Sequence, residues 1–311
     1  MVQRLDRAAT PGRLEGVEFL VIGAGPTGLG AAARLEQRGR DYLVVDAADR
    51  VGGAARTVVD ELGFSWSVAG ATGAQWNAIA ERLVAPQRLR LGTRVAHVDI
   101  ARRTAIFADG RAVTYGTCIS SAPLPTALSW AGARDLGVGL RATRVLAVGL
   151  GFAGEAPAAL ASALAASSRT GDAPWQRLRE MGESAPEGRW SVLADVEIPG
   201  REDVDVAEAI AAVLRGLESF GAVAEAPLVR WSHEFSPACP EAGDDRDARL
   251  REIDERLRAH GFFSRGLLGG WRSEAADLGG AYRQGGEAVE AALDGSEEAA
   301  YWTGSRIVSA A

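Results

Sequence analysis

Val17-Glu18-Phe19-Leu20-Val21-Ile22-Gly23-Ala24-Gly25-Pro26-Thr27-Gly28 decides the fold of this 311-residue chain. Its first six residues form an apolar run broken only by Glu18, the pattern of a parallel strand buried on both faces. The strand runs straight into G-x-G-x-x-G. A helical pattern from Leu29 to Gln37 follows, Gly39 closes it, and a second strand, Asp41-Tyr42-Leu43-Val44-Val45, ends on Asp46. The unit is βαβ, and each glycine has a physical task. Gly23 makes the tight turn, Gly25 lets backbone approach a pyrophosphate, and Gly28 lets helix and strand pack closely. The helix opening at Pro26 and Thr27 turns its free N–H groups and the positive end of its dipole toward the phosphates. Asp46, eighteen residues past Gly28, stands where a carboxylate accepts hydrogen bonds from ribose hydroxyls.

Strand before, helix after and acid at the end of the second strand make dinucleotide binding the reading of this unit. Directly beyond it the chain reads Arg50-Val51-Gly52-Gly53-Ala54-Ala55-Arg56-Thr57. Paired glycines let backbone run close to a flat ligand, and Arg50 and Arg56, which bracket the turn, are the residue type that forks onto phosphate oxygens. With these residues the sequence resembles the FAD-dependent amine oxidase superfamily, and within it the UDP-galactopyranose mutase-like and protoporphyrinogen-oxidase-like branch. The resemblance implies FAD as cofactor. It also implies that the residue at Val95 touches the adenine through its backbone.

Two further stretches carry the resemblance. Gly63-Phe64-Ser65-Trp66-Ser67-Val68-Ala69-Gly70-Ala71 is similar to a family segment that ends in Gly-Gly-His beside the flavin ring, with Ala71 in the place of the histidine. Ser264 to Glu274, followed by Gly279 to Val289, is similar to the family's closing strand-turn-helix. There Gly270 falls in the turn, and the helix N-terminus at Gly279, Gly280 and Ala281 would offer backbone N–H groups to the flavin pyrimidine oxygens. The match departs at Leu267 and at Leu278-Gly279-Gly280. A long helical segment that covers substrate in relatives is reduced here to residues 72 to about 92.

Composition narrows the partners. The net charge is −7 and no basic stripe offsets it, which argues against nucleic acid and for a small-molecule substrate. Cys118 and Cys239 make neither a disulfide framework nor a metal cluster, and His97, His233 and His260 lack metal-ligand spacing, so no metal site is expected. Nothing reads as a signal peptide or membrane span, which points to the cytoplasm. Trp66 and Trp271 adjoin the flavin motifs and suit either stacking on a ring or filling the core. Glu274 matches a glutamate of the family motif.

The remaining pattern gives a helix at 74–84, a meander over Arg94–Ile100, Thr104–Phe107 and Arg111–Tyr115 turned at Asp109-Gly110, and another strand from Thr117 to Ser121. Strands at Val145–Leu150, Arg189–Val196 and Leu228–Phe235 then alternate with helices near 157–166, 205–219 and 246–260. A second G-x-G-x-x-G, Gly149-Leu150-Gly151-Phe152-Ala153-Gly154, reads as a strand end. Pro157 interrupts the helix start after it, and Asp172 sits in a loop.

The expected fold is α/β: a discontinuous Rossmann-type FAD-binding domain over 1–70, 90–138 and 261–296, a smaller antiparallel-sheet substrate domain over 139–260, and a tail over 297–311. The expected function is FAD-dependent oxidation of a C–N or C–C bond by hydride transfer to flavin N5, with no side chain assigned as acid, base or nucleophile. A reduced-flavin sugar-nucleotide mutase and a non-catalytic FAD-binding accessory protein stand beside it. The shortened cap leads to the expectation of a homodimer or partner protein over the flavin face, with residues near Trp66 to Trp76 in the interface.

Overall fold

In the computed structural model the described residues are 15–67, 73–199, 203–243, 245–273 and 277–302. Ala71 and Glu274 therefore lie outside them. The chain runs β1 (Glu15–Ile22), α1 (Pro26–Gln37), β2 (Tyr42–Val45), β3 (Thr57–Val59), β4 (Ser65–Ser67), α2 (Gly73–Leu83), β5 (Leu89–Arg90), β6 (Val95–Asp99), β7 (Thr104–Phe107), β8 (Ala112–Ser120) and α3 (Leu124–Trp130). It continues through β9 (Ala142–Ala153), α4 (Leu160–Ala165), β10 (Arg177–Glu180), β11 (Arg189–Ile198), α5 (Val206–Ser219), β12 (Val229–Pro240), α6 (Arg246–Arg258), β13 (Phe262–Ser264), α7 (Leu278–Asp294) and α8 (Ala299–Trp302).

A seven-stranded sheet is ordered β5-β2-β1-β8-β7-β6, with β13 also paired to β8. Its β5, β2, β1, β8 and β13 are parallel, and β7 and β6 add an antiparallel edge. The unbroken apolar strands follow from burial on both faces. Phe19 and Val21 of β1 and Tyr42 and Val44 of β2 face the core under α1, α2 and α7, whereas Leu20, Ile22, Leu43 and Val45 face the core under α3 and α6. β8 is one strand where the sequence suggests two. It bonds β7 near its start and β13 near its end, with β1 along its other side.

The second sheet is antiparallel, ordered β10-β11-β9-β12. Leu146, Val148, Leu150 and Phe152 of β9 pack under α4 and α5. The opposite face receives Phe64 and Trp66 from the β3–β4 hairpin, against Ala147 and Leu193. Gly149 and Gly151 are what admit those rings. A Cβ on Gly149 would lie 2.6 Å from the Trp66 ring, and one on Gly151 2.6 Å from the Phe64 ring. The second glycine motif is thus the end of β9, which stops at Ala153, and the spacing of Gly149 and Gly151 reflects two aromatic rings set two residues apart in the facing hairpin. His233 lies within β12.

Trp66 and Trp76, expected at an exposed interface, are 1% and 6% exposed and buried by their own chain. Residues 68–72 of that stretch lie outside the described residues, and Val58, Val59 and Leu62 nearby are exposed. α2 lies on the helical layer, with Trp76 tilted against Tyr282 of α7. Part of the expected tail is a built element: α8 and Glu298 pack against the core, and Glu298 is 2% exposed.

Candidate functional site

The turn between β1 and α1 is held by backbone geometry and by one carboxylate. Gly23 has φ 105° and donates its N–H to the Val45 carbonyl at 2.8 Å. A Cβ on Gly28 would sit 1.7 Å from the Gly23 oxygen, so no other residue fits there. Asp46 accepts from the Ala24 N–H at 2.6 Å through Oδ2 and from the Ala48 N–H at 2.8 Å through Oδ1. This carboxylate locks the glycine turn as well as lining the cavity beside it.

α1 begins at Pro26 with Gly25 as its N-cap and no side-chain cap. The other two long helices with a described N-cap bond differ: Asp205 caps α5 and Asp277 caps α7. The first-turn N–H groups of α1, at Thr27 and Gly28, have no preceding helical carbonyl to meet and are oriented for an anion. Gly52, at φ 102°, donates to the Ala24 carbonyl at 2.8 Å, and a Cβ built on Gly53 would approach the Gly25 Cα to 3.3 Å. The two glycine turns lie face to face.

A cavity of about 420 Å³ runs along them. Gly23, Gly25, Pro26, Thr27, Asp46, Gly53, Val95 and Ala281 all line it. So do residues that the sequence did not single out: Thr93 and Arg94 at the Asp46 end, Trp130, and Phe235, Pro237 and Ala238 from the end of β12. Only β12's pairing to β9 brings that last group in, and no local motif announces it.

Other expected positions lie outside that lining. Arg50 is exposed and outside the cavity lining, and Thr57 is the first residue of β3, paired with Ser67. Gly28 and Gly52 shape the turns from behind. Gly270 makes room for Tyr301, whose ring a Cβ there would meet at 2.6 Å. Trp271 is 2% exposed in the core under α3 and α6, so core filling is its role. At the start of α7, Asp277 accepts from the Gly280 N–H at 2.6 Å and its carbonyl accepts from the Ala281 N–H at 3.0 Å. Two of the three N–H groups expected to face a ligand are therefore taken, and Gly279 alone keeps its own.

Arg56, expected to fork onto phosphate oxygens, is not in the lining of that cavity. It lines a second cavity of about 250 Å³ with Val58, Trp66, Trp231, His233 and Phe235, on the far side of the Gly53-Ala54 turn. The rings form a wall: Trp66 stacks on Trp231 with centroids 5.8 Å apart, Trp231 on His233 at 6.1 Å, and His233 meets Phe235 edge-on at 4.6 Å. Burial, reinforced by the charge of Arg56, lowers the His233 pKa below its usual value. Gly53, Ala54 and Phe235 border both cavities, so the two adjoin at that turn as a long arm and a short arm. Among the described residues no group of His, Cys, Asp or Glu is placed to hold a metal ion, and no helix is long and apolar enough to cross a membrane.

Residues 21–84 match the NAD(P)-binding Rossmann-like domain family. Among solved structures, the chain is similar to reduced UDP-galactopyranose mutase, with a TM-score of 0.83 at 17% identity over 92% of this chain and 96% of that one. It is similar to a putative protoporphyrinogen oxidase from Exiguobacterium sp., with a TM-score of 0.66 at 12% identity over 91% and 100%. Putrescine oxidase bound to putrescine gives a TM-score of 0.65 at 14% identity over 91% and 99%. At these identities the likeness is one of fold: a Rossmann-like parallel sheet joined to an antiparallel one.

Proposed function

We propose that this chain is an FAD-dependent oxidoreductase acting on a small molecule held beneath β12. The observation that carries this reading is the pair of adjoining cavities, a long arm that follows the two glycine turns and a short arm beside an aromatic wall. The long arm fits a dinucleotide. It has an uncapped helix N-terminus for the pyrophosphate, closely apposed glycines where any Cβ would intrude, and the Asp46–Val95 end for an adenosine. Bound FAD supplies hydride acceptance, and the protein's part is binding, orientation and exclusion of water.

The residues divide that work. Ala281 and Leu278 close the far end of the long arm from α7, and Phe235 stands where one arm meets the other. The aromatic wall gives the short arm an apolar side. None of the lining side chains of the short arm is a carboxylate, so the reading needs no protein acid there. Purified protein should be yellow and release FAD, not FMN, on denaturation; colourless protein that cannot be reconstituted defeats the reading. Anaerobic mixing with a panel of amines and other small donors should bleach the flavin with at least one of them.

A second reading draws on the likeness to reduced UDP-galactopyranose mutase: redox-neutral rearrangement of a sugar nucleotide. It is favoured over oxidation if chemically reduced protein turns over UDP-galactopyranose while no donor bleaches the oxidised form.

A further inference from the structure

Arg56 is a half-buried guanidinium with no carboxylate beside it. Its side chain makes no hydrogen bond or ion pair with any described residue, and beyond the Gly53-Ala54 turn the short arm is lined by Arg56, His233, Val58 and the rings of Trp66, Trp231 and Phe235. The acids nearest in sequence and strand are occupied elsewhere. Asp60 accepts from the N–H groups of Leu62 and Phe64 and from Trp66 Nε1, at 2.9, 3.1 and 2.8 Å. Glu234, beside His233 on β12, pairs with Arg144 at 2.8 Å. A cation partly removed from water without a counter-ion is costly unless a ligand supplies one.

The wall beside that cation is a column of parallel, stacked rings. Trp66 and Trp231 are parallel to within 8°, and the Trp231 and His233 planes to within 22°. Trp66 is fixed by its bond to Asp60 and by the gap at Gly149, so the column is held in place and offers an apolar ring a set of ring edges for edge-to-face contact without reordering. The volume of about 250 Å³ falls just under the range of about 300–1,000 Å³ for drug-sized ligands. It suits one small ring system.

We propose that the short arm binds a flat, apolar molecule bearing one anionic group, its ring against Trp231 and its anion on Arg56. This names the substrate class of the site described above and rests on that reading. The geometry has a direct chemical consequence: the ring packs against the ring edges of the wall while the carboxylate or equivalent anion forks onto the guanidinium, so the ligand enters in one orientation.

Calorimetric titration of the purified protein with indole-3-acetate and with its neutral amide tests it. The acid should bind roughly ten- to a hundredfold tighter than the amide, the range of one charge-assisted contact. Arg56→Gln should erase that difference, Arg56→Lys should keep part of it, and Trp231→Leu should weaken both ligands alike. Equal affinity for acid and amide in the parent protein, or no binding of either, overturns the proposal. Bound FAD is measured by absorbance in every sample, which separates this test from the cofactor reading. Loss of FAD in Arg56→Gln would assign Arg56 to the cofactor cradle and also overturn it, whereas protein without FAD that still prefers the acid upholds the proposal and defeats only the cofactor reading.

Discussion

Arg265 has no exposed side-chain surface, yet it carries a charge. Burial disfavours that charge, but Glu298 at 2.6 Å and Asp254 at 2.7 Å outweigh it and hold the guanidinium ionised, with Tyr301 4.1 Å beneath it. Removing one partner leaves a buried charge half compensated, which costs about 3–5 kcal/mol. Glu298→Gln should lower stability by that amount in a denaturant titration, with bound cofactor unchanged if the network is structural. Asp46 is a second such test, because its carboxylate holds the glycine turn even without a ligand. Asp46→Ala should cost about 1.5–3 kcal/mol in the ligand-free protein as well as weakening the dinucleotide, and an effect seen only in the presence of cofactor would show that the Ala24 bond contributes little. At His233, burial is the larger cause of the lowered pKa and Arg56 the smaller. Arg56→Gln should therefore raise the imidazole pKa by NMR titration yet leave it below the ordinary value; an unmoved titration would mean the two groups do not feel each other.

Between elements, glycine sets the closest approaches. α1 and α7 cross at Gly30 and Gly285: a Cβ on Gly285 would lie 1.9 Å from the Thr27 carbonyl oxygen, and one on Gly30 2.0 Å from that of Tyr282. Both obstacles are backbone, so neither helix can yield by a rotamer change. Gly285→Ala should push the helices apart and, because Thr27 lines the cavity, reduce dinucleotide affinity together with stability; a variant that melts like the parent would refute the close crossing. Gly151→Ala should cost at least the ~1–3 kcal/mol of an overpacked core, since the Phe64 ring blocks its Cβ. These contacts explain what was legible in the sequence. The βαβ unit could be read because strand, turn, helix and acid are consecutive and each has its own period. Gly149-Leu150-Gly151 resembled a nucleotide turn because its true partners, Phe64 and Trp66, are remote in the chain. β10 was invisible for a local reason: Arg177-Leu178-Arg179-Glu180 contains one apolar residue. Its pairing with β11 and the Asp195 contacts to Arg177 and Arg179 make it a strand.

At the scale of the molecule, the two sheets meet along the cleft. β12 belongs to the antiparallel sheet, yet its Phe235, Pro237 and Ala238 line the same long arm as Gly25 and Asp46, so a ligand there touches both halves of the fold. A ligand that binds only the folded chain stabilises it by mass action, about 2.7 kcal/mol at a hundredfold excess over Kd. Removing the cofactor should therefore lower the melting temperature, and adding FAD should restore it in proportion to the logarithm of its concentration. FMN separates the two ends of the arm. It lacks the adenosine that the Asp46 and Val95 end would hold, so it should recover only part of the stabilisation at the same concentration, and Asp46→Ala should narrow the gap between the two flavins. Equal stabilisation by FMN and FAD in the parent protein would mean that the Asp46 end takes no part in binding, and that this carboxylate serves the glycine turn alone.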